Sequence, residues 1–117
     1  MTLQDIQDAI RAGYSRVGSH AIQEATADAL LITEIWSGIL GADAEIIEDY
    51  SSDPRGPTCL IYCQINGMPV HVVVAYPSNK AAAQQNIPVL VFMITCYRPG
   101  GPNHAHQWSA DFKKRLP

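Results

Sequence analysis

Long apolar stretches are missing from this sequence of 117 residues. The longest apolar run, residues 89–95, is far shorter than the ~20 residues that span a bilayer, so we expect no membrane partner. Residues 1–12 hold two aspartates and lack the apolar core of a secretory signal, which favours a cytoplasmic protein. Charge is also sparse: 16% of the residues are charged and 47% are apolar, a balance typical of one folded domain over residues 1–117.

Cysteine is scarce as well, with three residues, Cys59, Cys63 and Cys96. An odd number in a cytoplasmic protein indicates reduced thiols. If Cys59 and Cys63 lie in one strand, their Cα atoms are about 13 Å apart, beyond the ~7 Å that a disulfide tolerates. Their spacing also lacks the tight loop of a zinc knuckle, so we predict buried structural thiols, no metal and no cofactor.

The first part of the sequence has the spacing of apolar residues that is typical of helices. Thr2 is a good N-cap, and Asp5 completes an acidic variant of the capping box. Ser19 is the predicted N-cap of a second helix. Two to three N-terminal helices are predicted: the first follows Thr2 and is ended by Gly13, the second covers residues 20–29, and the third begins at residue 33 and is ended by Gly41.

The second part alternates with the period of two that indicates strands. Asn66-Gly67 is a strong hairpin signal between two of them. Predicted strands cover residues 45–50, 58–65, 68–76 and 88–97, and a short C-terminal helix covers residues 109–115. Helices followed by strands favour an α+β fold, with the helices on one face of a four-stranded antiparallel meander and the other face open.

Charge is divided unevenly between the two parts of the chain. Residues 1–53 carry ten acids and two arginines, a net charge of −8, whereas residues 54–117 carry six bases and one acid, a net charge of +5. The whole chain, at −3, does not look like a nucleic-acid binder. The strand-rich part could nevertheless place a positive rim around the open sheet face; the alternative is a set of solvated surface charges.

Polar side chains interrupt two of the apolar strands. Alternation places His71 on the sheet face opposite Val70 and Val72. On the fourth strand it would place Thr95 and Tyr97 on the same face as His71, with residues 90, 92, 94 and 96 facing the helices. Two alternatives follow: His71 lines an open groove, or it is a core histidine hydrogen-bonded to a neighbouring backbone group.

The sequence contains three further histidines, which lie outside the predicted strands. His20 lies in the predicted first turn of a helix, where the helix dipole disfavours its charged form, and Glu24 follows on the same helix face. The two form either an acid–base pair or an exposed surface pair. His104 and His106 fall in a Gly/Pro-rich loop without a third credible metal ligand, so we interpret them as surface residues.

Several strings, in this order and spacing, resemble the domain of unknown function 4258 family from about residue 15 onward. They are SHA at 19–21, EIIEDY at 45–50, DPRGP at 53–57, PVHVV at 69–73, ITCYRP at 94–99 and WSADFKKR at 108–115. Residues 77–88 depart from the family's usual short acidic connection. The resemblance implies a distant relation to the RelE and barnase-like endoribonuclease fold, with a site on the exposed sheet face.

From this resemblance and the polar interruptions we derive a first hypothesis, a metal-independent endoribonuclease of toxin type with RNA as substrate and an antitoxin-like protein as partner. The predicted catalytic residues are His20, Glu24, His71 and Tyr97, and the predicted substrate-binding residues are Arg55, Thr95 and Arg98. Glu24 or His20 would take the 2′-hydroxyl proton and His71 would protonate the leaving oxygen. Arg55 or Arg98 would hold the phosphate.

The second hypothesis is a non-enzymatic binding or regulatory module, paired with another chain or with itself as a homodimer. Its histidines would hold helix and sheet together. Trp36, Trp108 and the loop after Arg98 would then be candidates for a partner surface. Buried imidazoles with satisfied hydrogen bonds favour this hypothesis, whereas histidines that converge in an open cleft favour the first.

Overall fold

A computed structural model describes residues 2–54, 56–76, 90–101 and 107–117 of the chain. These residues contain three helices and five strands. Their order is α1 (Leu3–Arg11), β1 (Ser15–Val17), α2 (Ser19–Ala27), α3 (Ile32–Ile39), β2 (Glu45–Tyr50), β3 (Thr58–Ile65), β4 (Met68–Ala75) and β5 (Val91–Tyr97). The predicted α+β class is confirmed, while the sheet differs in detail from the predicted meander.

The five strands form one sheet in the order β1-β5-β4-β3-β2. From β2 to β5 the neighbours pair antiparallel in chain order, as predicted. The hairpin between β3 and β4 turns at Asn66 and Gly67, whose φ angles are 53° and 78°. Two successive positive φ angles are what a two-residue type I′ turn requires, and this is why the Asn-Gly pair located the hairpin correctly.

The helices cover one face of this sheet. α2 packs against β5, and α3 packs against β3. The close approach of α3 depends on Gly38, because a Cβ there would lie 3.1 Å from Cys63 Sγ and 3.2 Å from the Gln64 carbonyl oxygen. Alternate residues of β3 and β4 fill the core beneath the helices: Cys59, Ile61, Cys63, Ile65, Val70, Val72 and Val74. The opposite face of the sheet is called the second face below.

All three cysteines are free and buried, as predicted. Burial raises the pKa of Cys59 and Cys63 to about 12 and that of Cys96 to about 11. The thiols are therefore uncharged at neutral pH and serve as small apolar side chains in the core.

The helix starts agree with the sequence in one case out of three. The Thr2 hydroxyl accepts a hydrogen bond from the Asp5 amide, and the Asp5 carboxylate accepts one from the Thr2 amide, so the predicted capping box of α1 is confirmed. Ser19 is not the N-cap of α2; Gly18 is, without a side-chain hydrogen bond. α3 begins at Ile32 rather than at residue 33.

The prediction of a four-stranded antiparallel sheet is wrong because of β1. This strand pairs parallel with β5 along the sheet edge, with Arg16 opposite Phe92. Three residues are too few for a period of two to be recognised, and the partner strand lies more than 70 residues away in the sequence. The sheet is therefore five-stranded and mixed.

The predicted alternation of β5 is wrong for the first part of the strand, because β5 contains a bulge. Thr95 lies opposite Val73 and Met93 lies opposite Val74, so that Ile94 is an extra residue. An extra residue reverses the alternation beyond it. Cys96 faces the helices as predicted, but the residues that join it there are Val91 and Met93, and Phe92 lies on the second face.

Residues 107–117, called the C-terminal segment below, do not form the predicted helix. Trp108 and Arg115 pair as an isolated antiparallel bridge, and the Ser109 amide donates to the Lys114 carbonyl. The Asp111 carboxylate accepts hydrogen bonds from the Ser109 hydroxyl and the Lys113 amide. Short polar side chains that bond to nearby backbone compete with a helix, and here they close a turn instead.

Some predictions concern residues outside the described ranges. These are the connection over residues 77–87, the first two residues of the predicted strand 88–97, Arg55, His104 and His106. None of the three helices within the described ranges has the length and hydropathy needed to cross a bilayer.

Candidate binding site on the second face

His71 lies at the centre of an aromatic row across the second face. The register places it between Tyr62 on β3 and Tyr97 on β5. The imidazole is fully buried, because the C-terminal segment lies over it with Trp108 at a ring-centroid distance of 4.4 Å. Alternation correctly placed His71 and Tyr97 on one face, but the prediction that this face is open is wrong here.

Both ring nitrogens of His71 are engaged. Nε2 lies 2.7 Å from the carbonyl oxygen of Phe112, and Nδ1 lies 3.2 Å from the hydroxyl oxygen of Tyr97. Because a carbonyl only accepts hydrogen bonds, we assign a proton to Nε2; in that tautomer Nδ1 accepts from Tyr97. Burial raises the pKa of Tyr97 to about 12, so the phenol keeps the proton that it donates.

The carbonyl that meets His71 belongs to a strained residue. Phe112 has a φ of 60°, a left-handed conformation that is unfavourable for an aromatic residue. The hydrogen bond to His71 and the packing of Trp108, which is 3% exposed, hold the turn in this conformation. His71 therefore joins β4, β5 and the C-terminal segment.

Two ion pairs fasten the same segment to β2. The Arg115 guanidinium donates to both carboxylate oxygens of Glu48, at 3.0 and 3.1 Å, and lies 4.6 Å from the centroid of the Trp108 ring. Lys113 Nζ lies 3.2 Å from Glu45 Oε2. The Tyr50 hydroxyl also donates to Glu48. Two of the three bases of the C-terminal segment thus neutralise acids of β2 across the second face.

Glu48 makes this contact sensitive to pH. The hydrogen bond from Arg115 holds the pKa of Glu48 below its usual 4.5, against the opposing effect of burial. A lowered pKa in the folded state contributes stability above the unfolded pKa, and that contribution is lost as the pH falls through the folded pKa. Because Arg115 is half exposed, the pair is worth about 1 kcal/mol.

We therefore predict that Glu48→Gln lowers the free energy of unfolding by about 1 kcal/mol at pH 7 and that the difference from wild type shrinks as the pH falls below 4.5. Urea denaturation at a series of pH values measures this. Glu24→Gln, which alters an exposed carboxylate on α2, is the matched control and should show no such trend. A difference for Glu48→Gln that persists unchanged at low pH would contradict the assignment.

A second feature of this face is an apolar groove of about 610 Å³. It lies at the end of the sheet where Thr58, Ala75 and Phe92 are opposite one another in register. Asp53 and Thr58 supply polar groups to its wall. The apolar lining consists mainly of Pro57, Val73, Ala75, Leu90, Phe92 and Ile94.

His20 and Glu24 lie on the other side of the molecule. Both are on α2, whose Ala21 carbonyl accepts a hydrogen bond from Cys96 on the helix-covered face. The side chains are 65% and 41% exposed, and His20 Nε2 lies 3.9 Å from Glu24 Oε1. The convergence of His20 with His71 and Tyr97 that would favour the endoribonuclease hypothesis does not occur, because the sheet separates them.

The predicted substrate-binding residues are also dispersed. Thr95 lies on the second face, opposite Val73. Arg98 is anchored to the end of α2, since its amide donates to the Asp28 carboxylate and its Nε donates to the Asp28 carbonyl. Arg55 is outside the described residues.

Sequence reasoning missed the partners that surround His71. Neither the Phe112 carbonyl on Nε2 nor the pairing of Glu48 with Arg115 beside it was predicted. Arg115 was assigned to a terminal helix and to a possible positive rim around the sheet face. The available signal was the charge division, because acids of one part and bases of the other meet here. Within the described ranges, no group of three His, Cys, Asp or Glu residues could hold a metal ion.

Three helices on one face of a five-stranded mixed sheet define a two-layer α+β domain. Residues 2–97 match the family described as "domain of unknown function (DUF4258)", and the chain belongs to this family. No curated protein and no solved structure matches the chain. The family resemblance is confirmed, although the match begins before residue 15 and ends before the string at residues 108–115.

Proposed function

We propose that this domain is a non-enzymatic binding module whose second face carries its ligand sites. The burial of His71 carries the proposal, because both of its nitrogens are hydrogen-bonded beneath the C-terminal segment. A general acid must reach its substrate directly or through one water. His71 has a structural role instead, and the ligand site that we assign among the described residues is the apolar groove.

The competing proposal is a metal-independent endoribonuclease of RelE-like toxin type. It requires an acid–base pair and cations that face the RNA phosphates. His20 and Glu24 lie on the far side of the sheet from His71, and Lys113 and Arg115 are paired with Glu45 and Glu48. These positions favour binding over catalysis.

The groove supports binding through its size and chemistry. Pockets for small ligands usually enclose about 300–1,000 Å³ and combine an apolar lining with a few polar groups that orient the ligand. The groove has about 610 Å³ and an apolar lining, with Thr58 and Asp53 as polar groups. We assign it a small uncharged molecule with an apolar body.

Binding of a neutral apolar fluorescent probe, N-phenyl-1-naphthylamine, tests this assignment. We expect saturable binding by the wild-type protein. Ala75→Gln should weaken it at least about tenfold, because the longer polar side chain would project into the groove from the second face. A fluorescence titration measures both dissociation constants.

Ala27→Gln is the matched control, since it makes the same change at an exposed position of α2. This variant should bind the probe like wild type. Equal binding by all three proteins, or no binding by wild type, would contradict the groove as the ligand site.

An RNA cleavage assay addresses the competing proposal. The purified wild-type protein should leave a mixed-sequence RNA intact without added metal. Cleavage that is lost in both His20→Ala and His71→Phe, while circular dichroism shows that both variants are folded, would instead establish the endoribonuclease, since the first change is at an exposed residue and the second keeps an aromatic ring at the buried position.

A further inference from the structure

The C-terminal segment contacts the second face as a bound peptide would. Among the described residues, its backbone hydrogen bonds close its own turns, from Ser109 to Lys114, from Phe112 to Ser109 and from Leu116 to Gln107. Its contacts with the sheet are made by individual groups. The Phe112 carbonyl binds His71, Trp108 packs on the same imidazole, and Lys113 and Arg115 bind two acids.

The sheet residues beneath the segment lie within the range that matches the family, whereas the segment lies beyond that range. Residues 2–97 include every residue of the sheet that the segment touches in these contacts, and residues 107–117 lie beyond that range. The surface consists of two acids on β2 and an aromatic row: Glu45, Glu48, Tyr62, His71 and Tyr97.

The chemistry of this surface defines its ligand. Glu48 engages a guanidinium through both oxygens, the geometry by which carboxylates recognise arginine. His71 donates to a backbone carbonyl and stacks edge-on with an indole. Glu45 and the ring of Tyr62, which Lys113 approaches to 5.0 Å, suit an ammonium group.

We propose that the surface formed by Glu45, Glu48, Tyr62, His71 and Tyr97 recognises a basic, tryptophan-bearing peptide segment of a partner protein, and that the chain's own C-terminal segment occupies it in cis. Phe112 has an unfavourable φ of 60°, and its carbonyl is bonded to His71. The contacts with this surface therefore stabilise the segment in a conformation that it would not favour alone, which supports the proposal. A partner segment of the same chemistry competes with the C-terminal segment for the surface. The apolar groove is a separate part of the second face.

The test uses a fluorescent peptide of residues 107–117 and the full-length chain. In Arg115→Ala, whose own segment has lost its guanidinium, the peptide should bind about fivefold more tightly than in wild type, because cis occupancy lowers the fraction of competent protein and the lost ion pair is worth about 1 kcal/mol. A peptide carrying Trp108→Ala and Arg115→Ala is the control and should not bind. Equal binding of both peptides would overturn the proposal.

Charge reversal makes the test specific. The full-length Glu48→Lys variant should lose the wild-type peptide and bind a peptide that carries Arg115→Glu. Chemical denaturation checks that both protein variants are folded; Arg115 is half exposed, so its replacement leaves the fold intact. If the folded Glu48→Lys variant does not bind the Arg115→Glu peptide, the proposal is overturned. It is also overturned if the wild-type chain is a dimer that Arg115→Ala dissociates, since the occupant of the surface would then be a second copy. Neither result alters the probe titration of the groove.

Discussion

Replacing His71 with alanine is expected to lower the free energy of unfolding by about 3–5 kcal/mol. The change opens a cavity among Tyr62, Tyr97 and Trp108, and it leaves the Phe112 carbonyl and the Tyr97 hydroxyl without the imidazole. Urea denaturation followed by circular dichroism measures the loss.

His20→Ala is the matched control for this prediction. The same residue type is 65% exposed there, and its nearest carboxylate oxygen is 3.9 Å away. Its removal should change stability by less than about 0.5 kcal/mol. Similar costs for the two substitutions would contradict the structural role of His71.

Trp108→Ala is expected to cost about 3–5 kcal/mol and to release the C-terminal segment. The indole is 3% exposed and lies between His71 and the Arg115 guanidinium. Its release should expose the bonds after Lys113, Lys114 and Arg115 to trypsin. Limited proteolysis followed by mass spectrometry should therefore show faster removal of the chain end than in wild type.

The Trp108→Phe variant distinguishes the packing of the aromatic ring from the effect of the indole N–H. The indole Nε1 is buried without a hydrogen-bond partner among the described residues. Removing that N–H removes a cost of about 1–3 kcal/mol, which offsets part of the packing lost with the smaller ring. Trp108→Phe should consequently be much milder than Trp108→Ala; equal losses would contradict packing on His71 as the origin of the effect.

The strands were predictable where local chemistry determines them. The period of two over β4 identified the face of His71, and Asn66-Gly67 determined the hairpin and the β3–β4 register. Thr2 and Asp5 located the start of α1 because both partners of the capping box are local in sequence.

The rest depends on contacts between distant residues. The three residues Ser15–Val17 carry no sequence pattern that indicates a parallel edge strand. The extra residue Ile94 reverses the alternation of β5, and neither a glycine nor a proline marks that position. The C-terminal segment contains good helix formers, yet Trp108 gains more from burial on His71 than residues 109–115 would gain as an isolated helical turn.

In the candidate site, too, features set by local sequence were predictable and features set by contacts between distant residues were not. His71 and Tyr97 were grouped correctly because they share one face of adjacent strands. His20 was grouped with them from its place in the first turn of a helix and from the family resemblance, and neither shows on which side of the sheet α2 packs. The uneven division of charge along the sequence reflected ion pairs within the chain. Lys113 and Arg115 neutralise Glu45 and Glu48 instead of forming part of a positive rim.

The state of the His71 ring tests most directly whether the second face binds rather than catalyses. Long-range nitrogen–proton NMR spectra report the tautomer of each histidine and the solvent exchange of its ring proton. We predict one tautomer for His71, with a slowly exchanging proton on Nε2, and rapid exchange for the exposed His20. Exchange at His71 as fast as at His20 would contradict the account, because the ring would then be open to solvent and to substrate.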